Sequence, residues 1–160
     1  MAQLTGEPQV FSGDTDVVDS SLKHPLGTRA FDTDGNEYIY LTGLALTAVG
    51  TWVSFDEAHI TTLLTTNCVG RVGVAMAAIV ASSYGWYQIY GNNTVALGVD
   101  GADAANETVY TTATAGSIDD ETGGDAANEM VVGAIIRVAE ATNVCTMELN
   151  YPVVYNVAIN

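Results

Sequence analysis

Tyr84-Gly85-Trp86-Tyr87-Gln88-Ile89-Tyr90-Gly91 is the stretch that decides the fold. Aromatic and β-branched side chains favour a pleated surface, and two glycines in eight residues disfavour a helix. Side chains alternate along a strand, so Trp86, Gln88 and Tyr90 share one face and Tyr87 and Ile89 the other. The preceding run, Cys68 to Ser82, is rich in Val, Gly and Ala and fits either a buried helix or a pair of buried strands. Gly70 and Gly73 weaken the helix, so strand is the expectation. Thr94 to Val99 reads as the return strand, joined through Gly91-Asn92-Asn93.

Working outward, Asp32-Thr33-Asp34-Gly35-Asn36 separates Thr28-Arg29-Ala30-Phe31 from Glu37-Tyr38-Ile39-Tyr40-Leu41. Asp-Gly between runs of β-formers predicts a hairpin, because Gly accepts the positive φ of such turns. Thr51 to Phe55 alternates its large apolar residues as a strand does. Residues 56–66 stay open: Asp56-Glu57 suits the start of a short helix, while the threonines from Thr61 to Thr66 oppose one. Downstream, Tyr110 to Ala115, Met130 to Ala139, Val144 to Asn150 and Tyr151 to Ile159 read as strands, with Pro152 near an edge. About ten short β segments between Gly, Asn and Asp turns predict an all-β fold, a small β-barrel or β-sandwich.

His24-Pro25-Leu26-Gly27 marks the start of that domain. Residues 1–24 are polar and read as an extended N-terminal arm, with Val10, Phe11, Val17 and Val18 as its apolar anchors. Residues 25–160 form a single β domain with an acidic loop insert at 100–129, which holds eight acids and no base. Within it, Asp103-Ala104-Ala105-Asn106-Glu107 is echoed by Asp125-Ala126-Ala127-Asn128-Glu129, and Gly116 to Gly124 is expected to be a flexible tip.

The 160 residues include 19 Asp+Glu and only 4 Lys+Arg, for a formal net charge of -15. Phosphate recognition and attraction to anionic lipid both need cations, so nucleic acid and membrane surfaces are not expected partners. No apolar run reaches the roughly 18–20 residues of a membrane helix. The N-terminus, MAQLTGEPQVF, lacks the basic and apolar regions of a secretory signal.

The motifs that spell catalytic chemistry lack the partners that chemistry needs. Asp56-Glu57-Ala58-His59 spells a helicase box, yet the sole lysine, Lys23, is not in a phosphate-binding loop. Ser20-Ser21-Leu22-Lys23 has the spacing of a serine–lysine nucleophile but lies in the arm, where nothing would desolvate the lysine. His24 and His59 are too few for a three-histidine zinc site. Asp32 to Glu37 resembles part of a calcium loop, but a strand follows where a helix is needed. No catalytic residue, metal site or cofactor is expected. Cys68 and Cys145 read as small buried hydrophobes, and a bridge between them stays open. Tyr84, Trp86, Tyr87 and Tyr90 crowd one strand of a two-faced sheet, so about half should point away from a monomer's core. They are candidates for a subunit interface or a glycan-stacking platform.

Two blocks, HPLGTRAFDTDGNEYIYLTG at 24–43 and GRVGVAMAAIVASSYGWYQIYG at 70–91, resemble the head decoration, or cement, proteins of tailed bacteriophages. The shared pattern is a Leu-Gly-Thr entry, an Asp-Gly-Asn hairpin into an aromatic strand, and an Ala/Gly-rich run ending in Tyr-Gly-Trp. The resemblance implies an all-β subunit, usually a homotrimer, bound to the major capsid protein on the capsid exterior. It also implies synthesis in the host cytoplasm, a shell-contacting N-terminal segment and no enzymatic activity. The insert at 100–129 lies outside the pattern. The alternatives are a phage fibre or surface module holding a glycan through Trp86, Tyr84 and the acidic loops, and a small hydrolase using a carboxylate pair.

Overall fold

The structure is a computed structural model that describes residues 13–98, 104–120, 129–139 and 142–155. β-Branched and aromatic runs punctuated by Gly, Asp and Asn make only strands here: β1 (Arg29–Phe31), β2 (Glu37–Thr42), β3 (Trp52–Phe55), β4 (Thr61–Leu63), β5 (Gly70–Ala75), β6 (Tyr84–Leu97), β7 (Thr108–Thr111), β8 (Ile118–Asp119), β9 (Met130–Val138) and β10 (Val144–Val154). The fold is all-β. All strands pair antiparallel in one sheet, along the open path β1-β2-β6-β5-β10-β9-β7-β8, with β3 joining β5 and β4 at the side. A lone parallel bridge, Gly98 to Ile118, brings the end of β6 beside β8.

The expected Asp-Gly hairpin is present between β1 and β2, with Gly35 at φ +84°. Asp32 organises it. Its Oδ1 accepts the N–H groups of Asp34 and Asn36, both at 2.9 Å. Its Oδ2 accepts the Asn36 amide at 2.7 Å and the Tyr38 hydroxyl at 2.8 Å.

Three expectations need correction, and residues 56–66, left open by the sequence, resolve as a turn and a strand. Residues 56–66 hold no helix: the Asp56 carboxylate accepts the N–H groups of Ala58 and Ile60, His59 sits at φ +64°, and the chain enters β4. Gly91-Asn92-Asn93 is not a hairpin, because β6 continues through it as one strand of 14 residues. Two buried amides hold this irregular stretch. Gln88 Nε2 donates to the carbonyls of Tyr90 and Asn92, each at 3.1 Å. Asn93 Nδ2 donates to Gln88 Oε1 at 2.9 Å, and Asn93 Oδ1 accepts the Val95 N–H at 3.0 Å.

The C-terminal strands are likewise one element, β10, and Pro152 lies within a central strand flanked by β5, β6 and β9. The ladder to β9 slips between Leu149 and Val153, and Tyr151 has φ +49°. A residue without an N–H is tolerated at such an interruption. Finally, Gly116 is no loose tip, while residues 121–124 of the expected tip lie outside the described residues. It accepts the Trp52 N–H at 2.9 Å and donates to Leu64 at 2.7 Å, fastening the β8 approach to β3.

The bent sheet encloses apolar layers. Ile39, Leu41, Tyr87 and Ile89 on β2 and β6 face Val53, Phe55 and Ala75 on β3 and β5. The other side of β3 and β5, through Trp52, Val72 and Val74, packs on Ala96, Val109, Ile118, Val131, Ile136, Met147 and Leu149. A third cluster, Ala30, Tyr38, Tyr40 and Trp86, lies on the outward side of β1, β2 and β6. β6 is the element common to all three, through Trp86, then Tyr87 and Ile89, then Ala96.

Candidate interaction surface

An aromatic strip on the outer side of β2 and β6 would be costly to leave in water. The root of the N-terminal arm covers it. Asp19 and Tyr84 exchange both backbone hydrogen bonds at 2.9 Å. The Tyr40 hydroxyl donates to Asp19 Oδ2 at 2.6 Å. The His24 ring stands edge-on to Tyr40, with centroids 5.1 Å apart, and lies 5.3 Å from Trp86. Burial first, and then the bond to the Asp19 carboxylate, push the Tyr40 hydroxyl up to about 12. At the root of the expected arm, a short β bridge and an aromatic box therefore hold the chain to the domain. Docked this way, the root turns Val17, Val18 and Leu22 outward, at 45%, 40% and 54% exposure. Val10 and Phe11 lie outside the described residues.

The four aromatic residues of β6 divide. Trp86 and Tyr87 are buried at 2% and 0% exposure, so neither has surface to offer a neighbouring subunit or a sugar ring. Trp86 is covered by the arm root, and the Tyr87 hydroxyl donates inward to the Thr42 carbonyl at 3.1 Å. Burial drives the Tyr87 hydroxyl far above its ordinary value. Tyr84 is half-buried beside Asp19, and only Tyr90 stands open to solvent. The glycan reading through Trp86 loses its stacking face.

Tyr90 belongs to a polar–aromatic cluster that sequence reading missed. Its ring lies 5.2 Å from that of Tyr151, which arrives on β10. The Tyr151 hydroxyl donates to Glu37 Oε2 at 2.6 Å, and Arg29 Nη1 donates to Glu37 Oε1 at 2.8 Å. Accepting that bond, Glu37 raises the Tyr151 hydroxyl above its usual range, with burial adding to it. The Glu37 side chain is 2% exposed, a buried carboxylate made tolerable by two donors. Glu37 and Tyr151 are 114 residues apart, so only the sheet topology brings them together.

The motifs that suggested chemistry hold structural posts. The Asp56 carboxylate is engaged by its own turn, and the His59 ring stacks on Phe55 at 6.5 Å. Asp32 is saturated by hairpin donors. Cys68 and Cys145 form no disulfide with each other; Cys68 Sγ accepts the Thr65 N–H at 3.3 Å. Among the described residues, no three His, Cys, Asp or Glu side chains are grouped to hold a metal ion.

No protein-family model matches the chain, and no curated protein matches its sequence. In three dimensions the chain is similar to a chain of the solved capsid of Myoviridae phage XM1, with a TM-score of 0.53 at 15% identity. The likeness spans 92% of this chain and 98% of that one. At that identity it is a likeness of fold alone.

Proposed function

We propose that this chain is a structural protein of a tailed-phage virion that binds the capsid exterior and stabilises it by bridging neighbouring shell subunits. Its partners in this reading are the major capsid protein and two further copies of itself. The observation that carries the reading is the end-to-end fold likeness to a capsid component. The charge of -15 supports it, since a dense outer layer of like-charged subunits stays soluble. The driving force is apolar burial at roughly 25 cal/mol per Å², repeated over many symmetric copies. Val10, Phe11, Val17 and Val18 are the shell-contacting side chains, the last two held at the surface by the Asp19 anchor.

The test is co-sedimentation with shells assembled without this protein. Deleting residues 2–16 leaves Asp19 on Tyr40 and is expected to give a folded protein of unchanged solution mass that no longer binds shells. Full-length protein that fails to bind such shells, or truncated protein that binds as well as the full chain, overturns the reading of the protein or of its arm respectively.

A further inference from the structure

Phe55 of β3, Arg71 of β5, Val153 of β10 and Val132 of β9 stand side by side across four strands. Directly paired residues project to the same side of a sheet. The next row, Val154 and Val131, points into one core cluster, so this row lies on the opposite side of the sheet, where Phe55 is buried in the neighbouring cluster and the row emerges beyond it. Arg71 and Val132 are exposed there, and Val153 is half-buried. The Arg71 guanidinium lies 4.6 Å over the Phe55 ring and donates one bond, at 2.6 Å, to the Asp56 carbonyl. Among the described residues, its remaining donors meet no carboxylate. The other two arginines do: Arg29 is paired with Glu37 and Arg137 with Glu148. Between Arg71 and Arg29, with Tyr151 as a wall, lies a recess of about 40 Å³. That is room for a water or a carboxylate group.

An unpaired guanidinium beside an apolar row, in a chain with 19 acids and 4 bases, fits a carboxylate brought by a partner. We propose that this face receives an acidic loop from the stretch 100–129 of a second copy of the chain, outside its strands β7 and β8, with a carboxylate seated on Arg71. Charge complementarity favours that occupant: the stretch has eight acids and no base. The inference rests on the reading that copies of this protein pack together. In the three-copy assembly proposed above, the contact runs head to tail round a closed ring.

The experiment is sedimentation velocity on the full chain, on Arg71→Glu, on Arg71→Lys and on a Glu121→Gln/Asp125→Asn double variant, with near-ultraviolet circular dichroism as the check on folding. The wild type is expected to form a ring of three or more. Arg71→Glu should weaken association at least tenfold. Arg71→Lys should keep part of it, since an ammonium retains charge without the guanidinium fork. The double variant, which leaves Arg71 unchanged, should weaken association even if Arg71→Glu misfolds. A two-fold dimer, a wild-type monomer at all concentrations, or a folded Arg71→Glu or double variant that assembles as wild type overturns the proposal. Shell binding by a monomer would overturn this interface and leave the virion role standing; a ring that ignores shells would do the reverse.

Discussion

Asp32 carries the β1–β2 turn by accepting four hydrogen bonds. Burial alone would raise its carboxyl, but the bonds from Asn36, Tyr38 and Asp34 outweigh that and hold it below the ordinary value of 3.8. A carboxyl lowered by folding stabilises the fold above its unfolded value, and that contribution drains away as pH falls through the folded one. Asp32→Asn should therefore lower stability by about 1 kcal/mol at neutral pH. It should also flatten the loss of thermal midpoint between pH 5 and pH 2.5, and an unchanged acid limb would refute the role. At Gln88 and Asn93 the stake is larger because both side chains are 1% exposed. Asn93→Leu strands the Gln88 carbonyl oxygen and the Val95 N–H, at about 1–3 kcal/mol for each group. Urea unfolding should show a loss of at least about 2 kcal/mol, and a change under about 0.5 would count against the amide relay.

Among elements, the hairpin was legible because all its chemistry sits within a few residues, from Asp32 to Tyr38. β6 was legible only as far as Tyr90. Gly91-Asn92-Asn93 has the composition of a turn, and what keeps it extended is tertiary: Asn36 Oδ1 accepts the Asn92 N–H at 2.9 Å. The alternation of Trp86 and Tyr87 was also readable from sequence. That both faces are covered was not, because one cover is the arm root and the other is β3 with β5. Pro152 misled for a related reason, since its tolerance depends on a register slip that local sequence does not announce. The arm root is held by few contacts, and Lys23 lies within it. Tyr40→Phe removes the bond to Asp19 and should lower stability by about 1 kcal/mol. Tryptic cleavage after Lys23 should accelerate several-fold, read by mass spectrometry of timed digests; equal rates would show that the backbone bridge to Tyr84 and the aromatic box hold the root without that bond.

For the whole molecule, the question is whether layered clusters melt apart or together. β6 bears on it most, because the same strand carries Trp86 outward, Tyr87 and Ile89 into the middle, and Ala96 into the far cluster. No layer can lose its packing without disturbing that strand. β10 adds a second tie, pairing with β5, β6 and β9 at once. Cooperative loss of all layers in one transition is then the expected behaviour. The two tryptophans report on opposite ends: Trp52 lies in the cluster of β3, β9 and β10, and Trp86 under the arm root. Trp52→Phe and Trp86→Phe each leave one fluorophore. The replacements shift stability individually, so each variant's fluorescence midpoint must be compared with its own far-ultraviolet midpoint. Coincidence within each variant is the result expected of one cooperative unit. If Trp86 fluorescence changes at lower denaturant than the far-ultraviolet signal, the outer aromatic layer is a separate unit. β6 would then be a strand that merely passes through the layers without coupling them.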